Sequence, residues 1–170
     1  MHPALRWGLL IGLVNLVWLY ASFYMGMHTR GLAALQMVVV VSAILNVMGY
    51  VFALGMETKR VGPMPYWKGV RLGAGISVVC ALVAAAAQVG YFTVINPGWT
   101  EFMVSETRKH FEKQDLKPAV VEALAEKAGE SFSLQTYLIQ SVASALIIGI
   151  VLSLIIMLIL RVKKAKPSRV

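Results

Sequence analysis

Four long stretches of this chain contain no ionisable side chain at all. Leu9 to Gly26, Leu32 to Leu54, Leu72 to Ile95 and Leu134 to Leu160 hold no Asp, Glu, Lys, Arg or His. Proton relays, ion-coupled transport and intramembrane metal hydrolysis all require an ionisable group in or facing the membrane. The absence argues against each of them and against an enzyme in general. Uncoupled movement of lipid stays open, with the amides of Asn15, Asn46, Gln88 and Gln140 as the side chains that would line a polar groove. Cysteine is reduced to Cys80 alone, in the middle of an apolar block, which excludes an intrachain disulfide and a cysteine metal cluster. Also missing are a glycine-rich phosphate loop after a strand, a nucleophile elbow and a His-Glu-x-x-His helix.

What is present is apolar. With 58% hydrophobic and 14% charged residues among 170, the chain cannot hide its apolar side chains in one soluble core, because they fall in uninterrupted blocks. The blocks at about 7–27, 32–56, 71–96 and 134–160 are each long enough to cross a hydrocarbon core of roughly 30 Å. The first is too long for a cleaved signal peptide, and bulky Phe23, Tyr24 and Met25 stand where small residues would be needed. The fold class read from this pattern is an all-α integral membrane protein. It has four transmembrane helices arranged as two hairpins and a short helical extracytoplasmic cap between spans three and four. Residues 1–170 form one membrane domain, with 97–133 as the extramembrane helical segment and 161–170 as a basic cytoplasmic tail.

The net charge of +8 is distributed at the ends of the blocks, where topology and anionic lipid account for it, so no nucleic-acid partner is expected. Arg6, the connection with Lys59, Arg60, Lys68 and Arg71, and the tail with Arg161, Lys163, Lys164, Lys166 and Arg169 fall on one side if there are four spans. That places both termini in the cytoplasm. The connection Glu57 to Arg71 is broken by Gly62, Pro63 and Pro65. Tyr66, Trp67, Lys68, Arg71, Arg161, Lys163 and Lys164 make a basic, aromatic rim. They serve as topology determinants, or as a seat for anionic lipid headgroups or the acidic face of a partner.

Small residues recur every four positions in two spans, as Gly69, Gly73, Ser77 and Ala81 in the third and Ser141, Ala145, Gly149 and Ser153 in the fourth. Lipid tails offer no hydrophobic drive for helix association, so such seams mark close backbone packing. They predict contact between spans three and four, or a dimer interface. Gly8 and Gly12 form a GxxxG pair in the first span. Asn15 and Asn46 sit at comparable depths of the first hairpin and are expected to pair or to share a water.

Between spans three and four, Pro97 ends the helix at Asn96. Two short helices follow, about Thr100 to Lys113 and another capped by Asp115 with Pro118 in its first turn. Glu106 and His110 have the spacing of a metal clip, with Glu101 or Asp115 as a third ligand. Ordinary charge pairing is the favoured account, and no metal or cofactor is expected.

Trp7-Gly8 with Gly12, Tyr66-Trp67-Lys68-Gly69 with Gly73, the run from Tyr91 to Asn96-Pro97-Gly98, the acidic helical loop and the Lys-rich tail together resemble an uncharacterised bacterial family of small four-span membrane proteins, known as a domain of unknown function. The most specific part is the motif Tyr91 to Gly98. Where the family form carries further tyrosines, this chain has Phe92 and Val94. The resemblance implies the fold and an inner-membrane location and implies no activity. The function expected is a non-catalytic accessory or scaffolding subunit of an inner-membrane complex, partnered by another membrane protein or by itself. The alternative is a small homo-oligomeric carrier for a lipid-linked or amphipathic substrate.

Overall fold

A computed structural model of the chain describes residues 1–30, 32–62, 64–114 and 116–165, with side chains except at 32, 33 and 162–165. Asp115, Pro63, Lys166 and Arg169 lie outside it. Among the described residues there are six α-helices and no strand: α1 Pro3–Tyr24, α2 Leu32–Val61, α3 Tyr66–Gly90, α4 Trp99–Glu112, α5 Pro118–Ser131 and α6 Leu134–Ala165. Four helical stretches are long and apolar enough to cross a membrane: Pro3–Tyr24, Ala34–Val61, Tyr66–Ile95 and Leu134–Arg161. The protein is an all-α membrane protein.

The ends of the helices follow from local chemistry. Pro3 opens α1, where its missing N–H costs nothing, and the His2 ring accepts from the Ala4 amide at 3.3 Å. Gly26, at φ +71°, takes the left-handed position that stops α1, a turn earlier than the apolar run alone indicates. α2 is 30 residues long, about 45 Å, and passes straight through Met56 to end at Val61. Gly62 follows at φ +80°. The broad connection read at Glu57 to Arg71 therefore shrinks to residues 62–65, and Glu57 is a helical residue. α3 runs on into a π-helical turn, Tyr91–Ile95, and stops at Asn96, whose backbone has left the helical region that a following proline disfavours.

The chain forms two compact units. The first comprises Met1–Ala84 and the part of α6 from Val142. In it α1 and α2 are antiparallel. α1 and α3 run in the same direction, Gly8 facing Val79 and Gly12 facing Val83. α3 and α6 are antiparallel, Gly69 facing Met157, Gly73 facing Ser153, and Gly149 facing Ser77 and Tyr50. A side chain at Gly73 would coincide with the Ser153 hydroxymethyl group, so the close approach of the two backbones requires glycine there. The core is Trp7, Ile11, Tyr50, Leu54, Val70, Ile76, Cys80, Ile156 and Met157 with their neighbours.

The second unit is Ala85–Ser141. α4 and α5 form a hairpin that buries Trp99, Met103, Val121, Ala125 and Ala128. Arg108 grips both oxygens of Glu122 at 2.8 and 3.0 Å across it, and the Thr100 hydroxyl donates to the Phe132 carbonyl at 3.0 Å. Lys117 precedes the first turn of α5 without a side-chain cap, and Pro118 occupies the first helical position.

Candidate functional site

The first turns of α1 and the last turns of α2 meet at one buried carboxylate. Glu57 is 2% exposed. Its Oε1 accepts from Arg6 Nη2 at 2.7 Å and from Trp7 Nε1 at 3.0 Å, and its Oε2 accepts from Arg60 Nε at 3.1 Å. Desolvating a carboxylate costs several kcal/mol unless its oxygens are met by charge-assisted donors. Here both oxygens are met. The Arg6 guanidinium also lies 5.2 Å from the Trp7 ring centroid, a cation–π distance. Arg6 and Arg60 remain 46% and 58% exposed.

Deeper in the same hairpin, Asn15 Nδ2 donates to Asn46 Oδ1 at 3.4 Å and Asn46 Nδ2 returns a bond to Asn15 Oδ1 at 3.3 Å. Each amide also donates to a carbonyl one turn back in its own helix, Ile11 at 3.0 Å and Ser42 at 2.8 Å. Between these two levels lies a layer of hydroxyls. Tyr50 Oη and Ser77 Oγ are 2.8 Å apart, Ser77 Oγ donates to the Gly73 carbonyl at 2.9 Å, and Ser153 Oγ to the Gly149 carbonyl at 2.6 Å. Cys80 Sγ lies 3.4 Å from the Gly8 carbonyl, buried. Ala81 is buried, and Ala145 is half-buried on α6. Where α1 ends, the buried His28 ring meets Ser22 Oγ through Nε2 at 2.9 Å, and burial pulls its pKa below the ordinary 6.5.

At the start of α3 the Tyr66 hydroxyl donates to the Leu154 carbonyl at 3.4 Å, and Trp67 stands 66% exposed. Lys68, Arg71 and Arg161 are exposed. The side chains of Lys163 and Lys164 lie outside the described residues.

In the second unit the Tyr91-to-Gly98 motif acquires a shape. The Asn96 amide donates to the Tyr91 carbonyl at 2.7 Å, closing the π turn, and Asn96 Nδ2 donates to Tyr91 Oη at 3.1 Å. Tyr91 lies edge-on to Phe92 and Trp99, Trp99 stacks on Phe102, and Phe92 and Phe132 both meet Tyr137. Pro97 and Gly98 are exposed in the turn. Gln88 is half-buried, Gln140 is exposed on α6, and Ser141 donates to its own Leu138 carbonyl at 3.1 Å. Glu106 engages Lys109 at 2.9 Å, and His110 meets Gln114 at 3.1 Å.

Sequence reasoning missed the Glu57 cluster and the aromatic cluster. A signal for the first existed. Asn46, Tyr50, Ala53 and Glu57 follow one another at helical spacing, so extending the buried face of α2 past Met56 lands on Glu57. Glu57 is also the only acid outside residues 96–133. The aromatic cluster draws on the π turn after α3, on α4, on the residue that follows α5 and on α6, and no spacing within one element announces it.

A four-helix hydrophobic framework whose interior polar groups bond to one another defines a multi-pass membrane protein. Over residues 6–162 the sequence matches the family described as Protein of unknown function (DUF4199), and the chain belongs to that family. The match agrees with the resemblance to an uncharacterised family drawn from the sequence. No curated protein and no solved structure matches the chain.

Proposed function

We propose that this protein is a non-catalytic accessory or scaffolding subunit of a protein complex in a bacterial inner membrane, with both termini in the cytoplasm. The observation that supports this reading is the reciprocal amide pair of Asn15 and Asn46. A carrier needs polar side chains turned toward a water-accessible path, whereas these two are engaged with each other and with their own helices. The hydroxyls of Tyr50, Ser77 and Ser153 are engaged in the same way. A bundle closed by such bonds is suited to presenting fixed outer faces to another membrane protein or to a second copy. The concentration of Arg and Lys at Arg6, Lys59, Arg60, Lys68, Arg71 and the tail supports the orientation.

The test is purification of the tagged protein from its own membranes in native nanodiscs, with mass spectrometry of everything retained. A stoichiometric protein companion is the expected result. A homodimer holding only a defined lipid overturns the subunit reading and favours the carrier. Orientation is checked separately by cysteine labelling of each terminus from either side of the membrane.

A further inference from the structure

We propose that Arg6 and Arg60, held on the two oxygens of Glu57, form a binding site for a phosphate group at the membrane surface. The charges at this point do not balance. Two guanidinium groups face one carboxylate, Lys59 stands beside them exposed, and residues 1–95 and 134–170 contain no other acid. A clamp meant only to neutralise Glu57 would be complete with one arginine and the Trp7 N–H. The surplus charge has no acidic counterpart within residues 1–95 and 134–170, which leaves it open to an external anion.

The free donors suit an oxyanion. Among the described residues Arg60 reaches Glu57 through Nε alone, which leaves both terminal nitrogens for another acceptor, and Arg6 uses one terminal nitrogen. Planar guanidinium forks match phosphate oxygens in a way that an ammonium does not. Their anchoring on a buried carboxylate fixes them beforehand, so less side-chain freedom is lost when the ligand arrives. The depth also suits a headgroup. The 25 residues of α2 from Leu32 to Met56 span about 37 Å at 1.5 Å per residue, more than the roughly 30 Å of a hydrocarbon core. A crossing that begins at Leu32 and runs along the bilayer normal brings Glu57 to Arg60 out to the level of lipid phosphates. The ligand is a phosphate oxyanion, carried by an anionic phospholipid headgroup or by a soluble phosphate compound.

The experiment uses the full chain in phosphatidylcholine nanodiscs with a minor fraction of phosphatidylglycerol, and native mass spectrometry of the retained lipid. Arg60→Gln is expected to weaken phosphatidylglycerol retention about tenfold, the equivalent of one charge-assisted hydrogen bond. Arg60→Lys keeps the charge and loses the fork, and it is expected to lose most of the same affinity while remaining folded. The double variant Lys113→Gln/Lys127→Gln, which removes two exposed cations at the end of α4 and on α5, is expected to stay within about twofold of the original. Inorganic phosphate as competitor separates the two sources. Displacement of the lipid assigns the site to a soluble phosphate compound, and persistence of the lipid assigns it to the headgroup. Unchanged retention in both Arg60 variants, or an equal loss in the Lys113/Lys127 variant, overturns the proposal.

Discussion

The α1–α2 hairpin and the α3–α6 pair hold two helices together by opposite means. Along the hairpin, polar bonds recur at successive depths: Glu57 with Arg6 and Trp7, Asn15 with Asn46, the Trp18 indole donating to the Val38 carbonyl at 3.1 Å, and Ser22 with His28. Between α3 and the later part of α6 the backbones simply come close, glycine against serine at Gly73 and Ser153 and at Gly149 and Ser77. Neither mode relies on the hydrophobic effect, which vanishes between helices surrounded by lipid. A hairpin is already tethered by a short turn, so directional bonds suffice to set its register. α3 and α6 are separated by more than forty residues of sequence, and contact over a continuous smooth seam brings them together.

The largest effect is expected from stripping the hairpin of its charge compensation. Arg6→Met with Arg60→Met leaves Glu57 buried beside Trp7 alone, and removing the partners of a buried ion costs about 3–5 kcal/mol. Reversible unfolding in mixed micelles measures it. A loss below about 1 kcal/mol would mean that Glu57 reaches water in the native state and that the hairpin is held chiefly by its deeper bonds. The seam is expected to respond next. Gly73→Ala forces a methyl group into Ser153 and is expected to cost about 1–3 kcal/mol. Gly69→Ala meets the unbranched Met157 side chain at Sδ, Cε and Cγ rather than a short serine and is expected to cost less than Gly73→Ala. Equal costs at the two glycines would mean that the seam is not the close contact between α3 and α6.

Asn46→Leu removes the amide pair and is expected to cost about 0.6 kcal/mol, and no more than about 1.7, the range for single interhelical hydrogen bonds within membranes. The same unfolding measurement applies, with Asn15→Leu/Asn46→Leu as the double variant. If the double costs no more than either single change, the two amides act on each other, as their 3.3 and 3.4 Å bonds indicate. Full additivity would separate them and reopen a role for each in a polar path.

The difference between the two regions also explains what could be read before the fold was seen. The four-residue recurrence of Gly69, Gly73 and Ser77, answered by Gly149 and Ser153, is a pattern within single helices, so it is visible in sequence. Asn15 and Asn46 were likewise placed by depth, because a tight turn between two spans fixes which residues share a level. By sequence Glu57 reads as part of a charged loop, since Lys59 and Arg60 follow it after Thr58. Only the continuation of the α2 face from Tyr50 and Ala53 turns it inward, and there Arg6 and Trp7 of another helix make its burial tolerable. The aromatic cluster around Tyr91 and Tyr137 is a case with less to read. Phe92 packs on Tyr137 while Val94, two residues on in the same π turn, is 74% exposed, and nothing in the local pattern distinguishes those two positions.

The smallest expected effect lies at the turn that closes the hairpin. Burial disfavours the imidazolium form of His28, so its pKa in the folded protein is below the ordinary 6.5. At neutral pH the ring is uncharged in both folded and unfolded chains, and the group makes no pH-dependent contribution. As the pH falls below about 6.5 the unfolded chain takes up a proton that the folded chain resists, so stability declines until the folded pKa is passed and levels off beneath it. The unfolding midpoint is therefore expected to drop on going from neutral to mildly acidic buffer, and His28→Gln is expected to flatten that slope while lowering the midpoint at neutral pH through loss of the Ser22 contact. An unchanged slope in the variant would place the acid sensitivity elsewhere and would leave the hairpin defined by its Glu57 end alone.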